Sequence, residues 1–175
     1  MYHFFSEHEH IHDTYIDIVG SDVNHIKNVL RLKTGDSLLI SSGDNIDYTC
    51  HIAQIDEEHI RADIDSVDER GRELASKIYL FQGLPKADKM ELVIQKAVEL
   101  GAFEVIPVAM KRSVVKLDAK KAESKVKRWN AIAESAAKQS KRSILPQVSD
   151  VVTFAQAVKM AENCQIKLLP YECAD

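Results

Sequence analysis

Short runs of alternating apolar and polar residues dominate the first 66 residues of the chain. Two such runs lie at residues 46–52 and 59–64, and a further strand is predicted at 37–40, after the turn at Gly35 and Asp36. A period of two is typical of strands that bury one face, so closely spaced runs of this kind predict a small antiparallel β-barrel. A short helix over residues 22–31, with Ser21 as its N-cap, is predicted before the first turn.

The pattern changes after the polar segment 68–73. The predicted order is then a strand at 77–82, a helix at 89–100, a strand at 103–107, a long helix at 118–140, a helix at 154–162 and a strand at 165–169. Asp88 and Thr153 are suited to begin two of these helices, and Gly101 to end one. The alternation predicts a parallel sheet flanked by helices, and therefore an α/β protein with two domains, residues 1–72 and 73–175.

The long helix has two chemically different faces. Apolar or small residues recur at helical spacing on one face, which is expected to pack on the sheet: Val126, Trp129, Ala133, Ala136 and Ser140. The other face carries Lys120, Lys121, Lys127, Arg128 and Lys138. Glutamates one turn away balance part of this charge.

Charge is unevenly distributed along the chain. The net charge is -4, but residues 1–76 hold 6 basic and 16 acidic residues, whereas residues 77–175 hold 17 basic and 11 acidic ones. Residues 111–142 alone contain 11 basic and 3 acidic residues. Such an excess indicates a partner with a phosphate backbone, although a solvated helix face explains it equally well.

Composition excludes several classes of protein. With 45% hydrophobic and 29% charged residues, the chain can bury a core. No stretch approaches the roughly 20 apolar residues that cross a bilayer, and the first residues lack a signal-peptide pattern, so a cytoplasmic protein is expected. Cys50, Cys164 and Cys173 form neither an even set nor a Cys-x-x-Cys pair, so they are interpreted as ordinary thiols.

A metal site is considered at His8, His10 and His12, because alternating residues of an extended segment share one face. No carboxylate or cysteine at comparable spacing completes such a site, so solvated histidines are favoured and no metal is expected. Glycine-rich nucleotide loops and the His-Glu-x-x-His motif are absent from the sequence.

Five segments, taken in order, are more specific than any of these signals. They are HIKNVLR at 25–31 with Gly35 and Asp36, KADKME at 86–91, AVELG at 97–101, Arg112-Ser113, and ESAAKQSKR at 134–142 followed by Leu145-Pro146. This series resembles the RsmE family of 16S ribosomal RNA uridine N3-methyltransferases over nearly the whole chain. One departure is His3, which stands where the family usually has a basic Arg.

The resemblance implies a PUA-like RNA-binding barrel at 1–72, followed by the first part of a SPOUT-class methyltransferase domain at 73–175. It implies S-adenosylmethionine as the cofactor, 16S ribosomal RNA of the small ribosomal subunit as the substrate, and a homodimer. The family's Gly-Pro-Glu-Gly-Gly loop and trefoil knot, which bind the cofactor, are expected beyond Asp175. The 175-residue chain alone is therefore expected to be inactive.

Candidate site residues follow from the matching segments. Six cations in or beside them are expected to contact RNA phosphates: Arg31, Lys86, Lys89, Arg112, Lys138 and Arg142. The last predicted strand would place Leu169, Pro170, Tyr171 and Glu172 at a ligand-binding sheet edge, as a rim of the cofactor pocket. No catalytic base is assigned, because Glu134 is equally explained by a helical pair with Lys138.

Two alternatives to the methyltransferase remain open. The chain could be a non-enzymatic RNA-binding module made of a barrel and a basic α/β domain. It could also be an assembly protein whose apolar helix faces bind another subunit, in which case RNA binding would be absent.

Overall fold

The fold is taken from a computed structural model that describes residues 1–86, 89–111 and 118–170. The first half forms a five-stranded sheet from β1 (Tyr2–Phe5), β2 (Tyr15–Val19), β3 (Ser37–Ser41), β4 (Asp47–Ile55) and β5 (His59–Asp68). The second sheet contains β6 (Tyr79–Gly83), β7 (Glu104–Ala109), β8 (Gln147–Val148) and β9 (Val152–Thr153). The helices are α1 (Ser21–Asn24), α2 (Lys89–Glu99), α3 (Ala119–Ser140) and α4 (Phe154–Ala161).

The N-terminal sheet has the strand order β1-β3-β4-β5-β2. Its strands pair antiparallel, as predicted, except that β1 runs parallel to β3. Apolar side chains of the sheet and of the helical segment packed against it form a core that includes Ile16, Ile26, Leu38, Ile52 and Ile60, each with no exposed surface. The predicted antiparallel strands are confirmed, whereas β1 and β2 were not predicted from their short apolar runs.

The predicted helix at 22–31 differs from the observed segment. The first helical residue is Ser21, and the N-cap position belongs to Gly20, with φ 69° and no side-chain cap. The prediction of Ser21 as the cap is therefore wrong. After Asn24 the chain widens into a π-helical turn, in which the Leu30 amide donates to the His25 carbonyl at 2.9 Å. Arg31 follows with a left-handed backbone, φ 55°.

The second sheet is parallel, with β7 central and bonded to β6, β8 and β9. The predicted inner face of α3 is buried at Trp129, Ala133 and Ala136, together with Ile94 and Val98 of α2. Ser140, which was placed on this face, is exposed. The predicted boundary at residue 72 lies between β5 and β6; as a domain boundary it stays a prediction.

Helix ends follow local chemistry. The Asp118 carboxylate accepts the Lys121 amide at 2.8 Å, and Thr153 forms a capping box with Gln156. Both helices begin as predicted, and Asp88 lies outside the described residues. α3 ends at Lys141, which has a left-handed backbone with φ 56°. No helix in the described segments is long and apolar enough to span a bilayer.

The strand predicted at 165–169 is not found. The chain turns after α4 and continues to Pro170 without β pairing, and Ile166, Leu168 and Leu169 are 79%, 86% and 92% exposed. The prediction rested on an apolar run alone, whereas a strand also needs a neighbour that satisfies its amides and carbonyls. None of the described strands pairs with this segment.

Candidate nucleic-acid interface

Exposed lysines lie where the parallel strands end. Because β6 and β7 are parallel, their carboxyl ends share one edge, which is where open α/β sheets bind ligands. Lys86 follows β6, Lys89 begins α2, and Lys111 follows β7. All three are exposed, and none forms an ion pair with another described residue. Arg112, the next predicted contact, lies outside the described residues.

The other predicted cations lie at the opposite edge. α3 starts after β7 and leads to the start of β8, so its C-terminal end lies near the amino ends of the strands. Its 22 residues span about 33 Å. Lys138 and Arg142 are therefore far from Lys86 and Lys89. The structure divides the predicted set into two groups.

Lys138 joins α3 to the N-terminal half. Its ammonium lies 3.2 Å from both carboxylate oxygens of Asp22 and 2.9 Å from Glu134. Burial alone would lower the pKa of Lys138, but the bonds to Glu134 and the charge of Asp22 outweigh it, so the pKa is raised. The prediction that this lysine lies on the outward face of the helix is wrong, because its side chain is only 23% exposed.

Arg142 is buried within the protein. Its guanidinium binds the Glu73 carboxylate and donates to the carbonyls of Val98, at 3.3 Å, and Ala102. Glu73 also accepts the amides of Ser143 and Ile144 at 2.9 and 3.2 Å. These contacts use the donors that a phosphate would need, so the geometry argues against the predicted RNA contact of Arg142.

Arg31 lies beside a groove between the two halves. The groove has a volume of about 570 Å³ and is lined by residues that include Tyr2, His25, Leu30 and Lys141. Arg31 follows Leu30 directly and is exposed. Arg31 and Lys141 are thus accessible cations near the groove, whereas the charge of Lys138 is already balanced.

A buried polar cluster lies beside the groove and was not predicted. His3 contacts Ser41 Oγ through Nε2 at 2.8 Å, and Ser41 donates to Asp47. Ser143 donates to the other Asp47 oxygen at 2.8 Å. The sequence contains one indication of this cluster, because His3 and Ser41 are polar residues within the mostly apolar strands β1 and β3. The meeting of these side chains depends on contacts between segments that are 96 to 135 residues apart.

The predicted cofactor rim is not formed by the described residues. Leu169 and Pro170 are exposed and belong to no strand edge, and Tyr171 and Glu172 lie outside the described residues. A second cavity, of about 320 Å³, is lined by residues that include Ser76, Lys77 and Phe103, at the amino ends of β6 and β7. The described residues therefore do not by themselves fit an enclosed S-adenosylmethionine site.

The histidines near the N-terminus make separate polar contacts. His8 lies 3.1 Å from Asp44, and His12 lies 3.3 Å from Asp17. Among the described residues, no three His, Cys, Asp or Glu side chains are grouped so that they could hold a metal ion.

Family models match both halves of the chain. A model described as RNA methyltransferase domain matches residues 72–175. A second, described as RNA methyltransferase PUA domain, matches residues 18–65. These assignments agree with the curled N-terminal sheet and the parallel sheet that follows it, and they confirm the fold class: a PUA-like domain and a SPOUT-type α/β domain.

Similar proteins agree with the family models. The ribosomal RNA small subunit methyltransferase E of Bacillus subtilis is 40% identical over 155 residues, which are 89% of this chain and 60% of that protein. The protein of the same name from Mesomycoplasma hyopneumoniae is 27% identical over 174 residues, 99% of this chain and 73% of the relative. The chain thus spans less than two thirds of the length of the B. subtilis protein.

Solved structures of similar fold include two with S-adenosylmethionine. The small subunit methyltransferase E of Neisseria gonorrhoeae, bound to S-adenosyl methionine, has a TM-score of 0.80 and 27% identity, covering 90% of this chain and 64% of that one. A putative methyltransferase of Legionella pneumophila, in complex with the same cofactor, has a TM-score of 0.85 and 29% identity, covering 98% and 70%. The chain therefore belongs to the RNA methyltransferase family, and the resemblance to RsmE found in its sequence is confirmed.

Proposed function

We propose that these 175 residues serve an S-adenosylmethionine-dependent methyltransferase that acts on N3 of a uridine in 16S ribosomal RNA. The observation that carries the proposal is the edge with Lys86, Lys89 and Lys111, three exposed cations without an ion pair among the described residues, in a region whose family model is an RNA methyltransferase. The names of the relatives and the cofactor bound in two similar structures support it. A non-enzymatic RNA-binding module has no specific observation in its favour.

RNA contacts would be divided between the two edges. Lys86 and Lys89, with Arg112, would hold phosphates beside the reacting uridine, and an ammonium suits this task as a point charge. Arg31 and Lys141 would hold RNA at the groove, with the PUA-like domain. Lys138 would act as a positioning residue, because its bonds to Asp22 and Glu134 fix the two halves that form the groove.

The bound cofactor would supply an electrophilic methyl group, and the uridine would lose its N3 proton. Methyl transfer of this kind depends on alignment of the reacting atoms and needs no metal. The described residues do not enclose the cofactor, so their part in the reaction is to bind and orient RNA. No described side chain is assigned as the proton acceptor.

The test is a methyl-transfer assay on unmodified small-subunit RNA with two forms of the protein. One is the 175-residue chain, and the other is this chain joined to the remaining C-terminal part of the B. subtilis relative. We expect both forms to bind RNA, but only the longer one to bind S-adenosylmethionine in calorimetry and to produce N3-methyluridine. If the longer form binds the cofactor but produces no N3-methyluridine, the proposed activity is refuted. If the 175-residue form turns over, the proposal that these residues bind RNA without enclosing the cofactor is refuted.

We also propose a homodimer located in the cytoplasm, where ribosomal RNA is available as substrate. An exposed apolar surface supports the dimer, since Phe154 and Val158 of α4 are 58% and 49% exposed. In sedimentation equilibrium, Val158→Glu should shift the protein towards the monomer, whereas Lys159→Glu on the same helix should not. If the unsubstituted protein is a monomer at micromolar concentration, the proposed dimer is excluded. If the protein is recovered in a membrane fraction, the proposed cytoplasmic location is excluded.

A further inference from the structure

Four buried polar residues meet where the N-terminal sheet contacts the end of α3. His3 is 6% exposed, Ser41 and Ser143 have no exposed surface, and Asp47 is 3% exposed. They come from β1, β3, β4 and the segment after α3, so they join parts of the chain that are distant in sequence. None of them has a role in the proposed RNA contacts.

The hydrogen atoms of this cluster can be assigned one by one. Ser41 has a single hydroxyl hydrogen, which it donates to Asp47. Asp47 also accepts from Ser143 at 2.8 Å, and Ser143 Oγ accepts the Arg72 amide at 3.0 Å. The 2.8 Å contact between Ser41 Oγ and His3 Nε2 must therefore use a hydrogen on the imidazole. His3 is thus assigned as the Nε2–H tautomer.

The other nitrogen of His3 is then the place where a proton can be added. Nδ1 lies 3.3 Å from the carbonyl of Lys138, to which a neutral Nε2–H ring cannot donate. Three charged groups face the ring: Asp47 of β4 favours a second proton, while the ammonium of Lys138 and the guanidinium of Arg72 oppose it. The Phe5 ring also lies beside it, 4.9 Å away between centroids. Burial is the largest effect and lowers the pKa of His3 below its usual 6.5.

We propose that His3 is a proton-sensitive contact between the N-terminal sheet and α3. The neutral ring donates to Ser41, and Ser41 and Ser143 share the Asp47 carboxylate, so these hydrogen bonds join β1 to the segment after α3. A second proton, on Nδ1, can be donated to the Lys138 carbonyl, but it also places a positive charge in a buried site beside Lys138 and Arg72, and burial is the larger effect. The added charge therefore weakens the attachment. β1 and α3 also contribute walls to the groove, so the same proton alters the groove between the two halves. The inference does not depend on the proposed catalytic activity.

The sign of the pH effect follows from linkage. A histidine whose pKa is lowered by folding binds fewer protons in the folded state than in the unfolded state. Stability is therefore unaffected well above pH 6.5 and falls as the pH decreases below that value. Below the pH at which His3 is protonated in the folded state as well, stability decreases no further.

Nuclear magnetic resonance of the full chain, with 15N-labelled histidine, tests the assignment directly. We expect the His3 nitrogen shifts at pH 7.5 to show a hydrogen on Nε2, and the midpoint of titration to lie below 6.5. The backbone amides of residues 138–141 should titrate with the same midpoint. A hydrogen on Nδ1, a midpoint at or above 6.5, or amides in α3 that do not follow His3 would each overturn the proposal.

Thermal unfolding supplies an independent measurement. Between pH 7.5 and 5, the melting temperature of the unsubstituted protein should fall further than that of His3→Gln, by on the order of 2–4 °C. His51→Gln serves as the matched control, because His51 is half exposed on β4 and contacts Asp65 at 2.8 Å. This variant should follow the unsubstituted protein. Parallel curves for the unsubstituted protein and His3→Gln would contradict the proposed contact.

Discussion

At the residue scale, Arg142 shows that a cation in a basic segment can be a buried structural residue. The side chains of Arg142 and Glu73 form an ion pair and are 7% and 13% exposed. The guanidinium also donates hydrogen bonds to two backbone carbonyls. A buried pair of this kind contributes little net stability compared with a well-packed apolar pair, but removal of one partner leaves an uncompensated charge. The expected phenotype of an Arg142 variant is therefore instability.

We expect Arg142→Met to lower the free energy of unfolding by about 3–5 kcal/mol, measured by urea denaturation. Arg128→Met is the control. Arg128 is 62% exposed in its pair with Glu91, and the expected decrease there is below about 1 kcal/mol. RNA affinity of the remaining folded Arg142→Met protein should be unchanged. Unaltered stability together with weaker RNA binding would restore Arg142 as a phosphate contact.

The burial of Arg142 could not be predicted from the sequence. Its partner Glu73 lies 69 residues earlier, in a polar segment that has the composition of a linker. By contrast, the exposure of Lys86 and Lys89 could be predicted, because Lys86 follows a predicted strand and Lys89 begins a predicted helix. The three cysteines were interpreted as ordinary thiols. Cys50 agrees, since burial raises the pKa of its thiol to about 12.

At the element scale, the starts of two helices were predicted well, whereas the predicted cap at Ser21 was wrong. The start of α3 at Asp118 and of α4 at Thr153 follow from side chains that accept amides three residues later. β1, β2 and the absence of a strand at 165–169 depend on which segments lie beside them, and periodicity carries no such information. The π-helical turn at His25–Val29 was missed because the pattern of residues 22–31 is that of an ordinary helix.

The C-terminal end of α3 retains a local mismatch between residue and backbone. Lys141 adopts φ 56°, a left-handed conformation that costs a residue with a Cβ about 1–2 kcal/mol. Lys141→Gly should therefore raise the free energy of unfolding by about 0.5–1 kcal/mol, after the greater freedom of unfolded glycine is subtracted. Thermal unfolding would measure the increase. Lys141→Ala, which removes the same side chain, should give no such increase; equal increases would show that the backbone conformation is not responsible.

At the scale of the whole molecule, charge and fold change at the same place. The acidic first half forms one sheet, and the basic second half forms the other, with α3 bringing Lys138 back to Asp22. The change in hydrophobic pattern therefore predicted the two-sheet architecture, and the charge distribution predicted the more basic half. It did not predict that the cations of the second half lie at two opposite edges, because that separation follows from the direction of α3.

The proposed RNA contacts should respond to charge reversal by position. Lys86→Glu/Lys89→Glu should weaken RNA binding and reduce the slope of log affinity against log salt by roughly 0.7–0.9 for each phosphate that is no longer bound. Lys77→Glu/Lys127→Glu alters the net charge equally, because both side chains are exposed, Lys77 precedes β6 at the amino edge of the sheet, and Lys127 lies in the middle of α3. Binding measured by fluorescence anisotropy at several salt concentrations distinguishes the two. If both double variants weaken binding and slope equally, only net charge matters and the edge is not a specific contact.

The contact between His3 and Lys138 also constrains how the chain folds while it is made. The two residues are 135 positions apart, so at about 5–20 residues per second the first strand leaves the ribosome on the order of 10 s before the end of α3 exists. β1 can pair with β3 as soon as residues 37–41 have emerged. During that interval His3, Ser41 and Asp47 are hydrated on the surface of a nascent sheet. We therefore expect the N-terminal half to fold first, and its polar patch to become the docking point for the second half, which is synthesised after it.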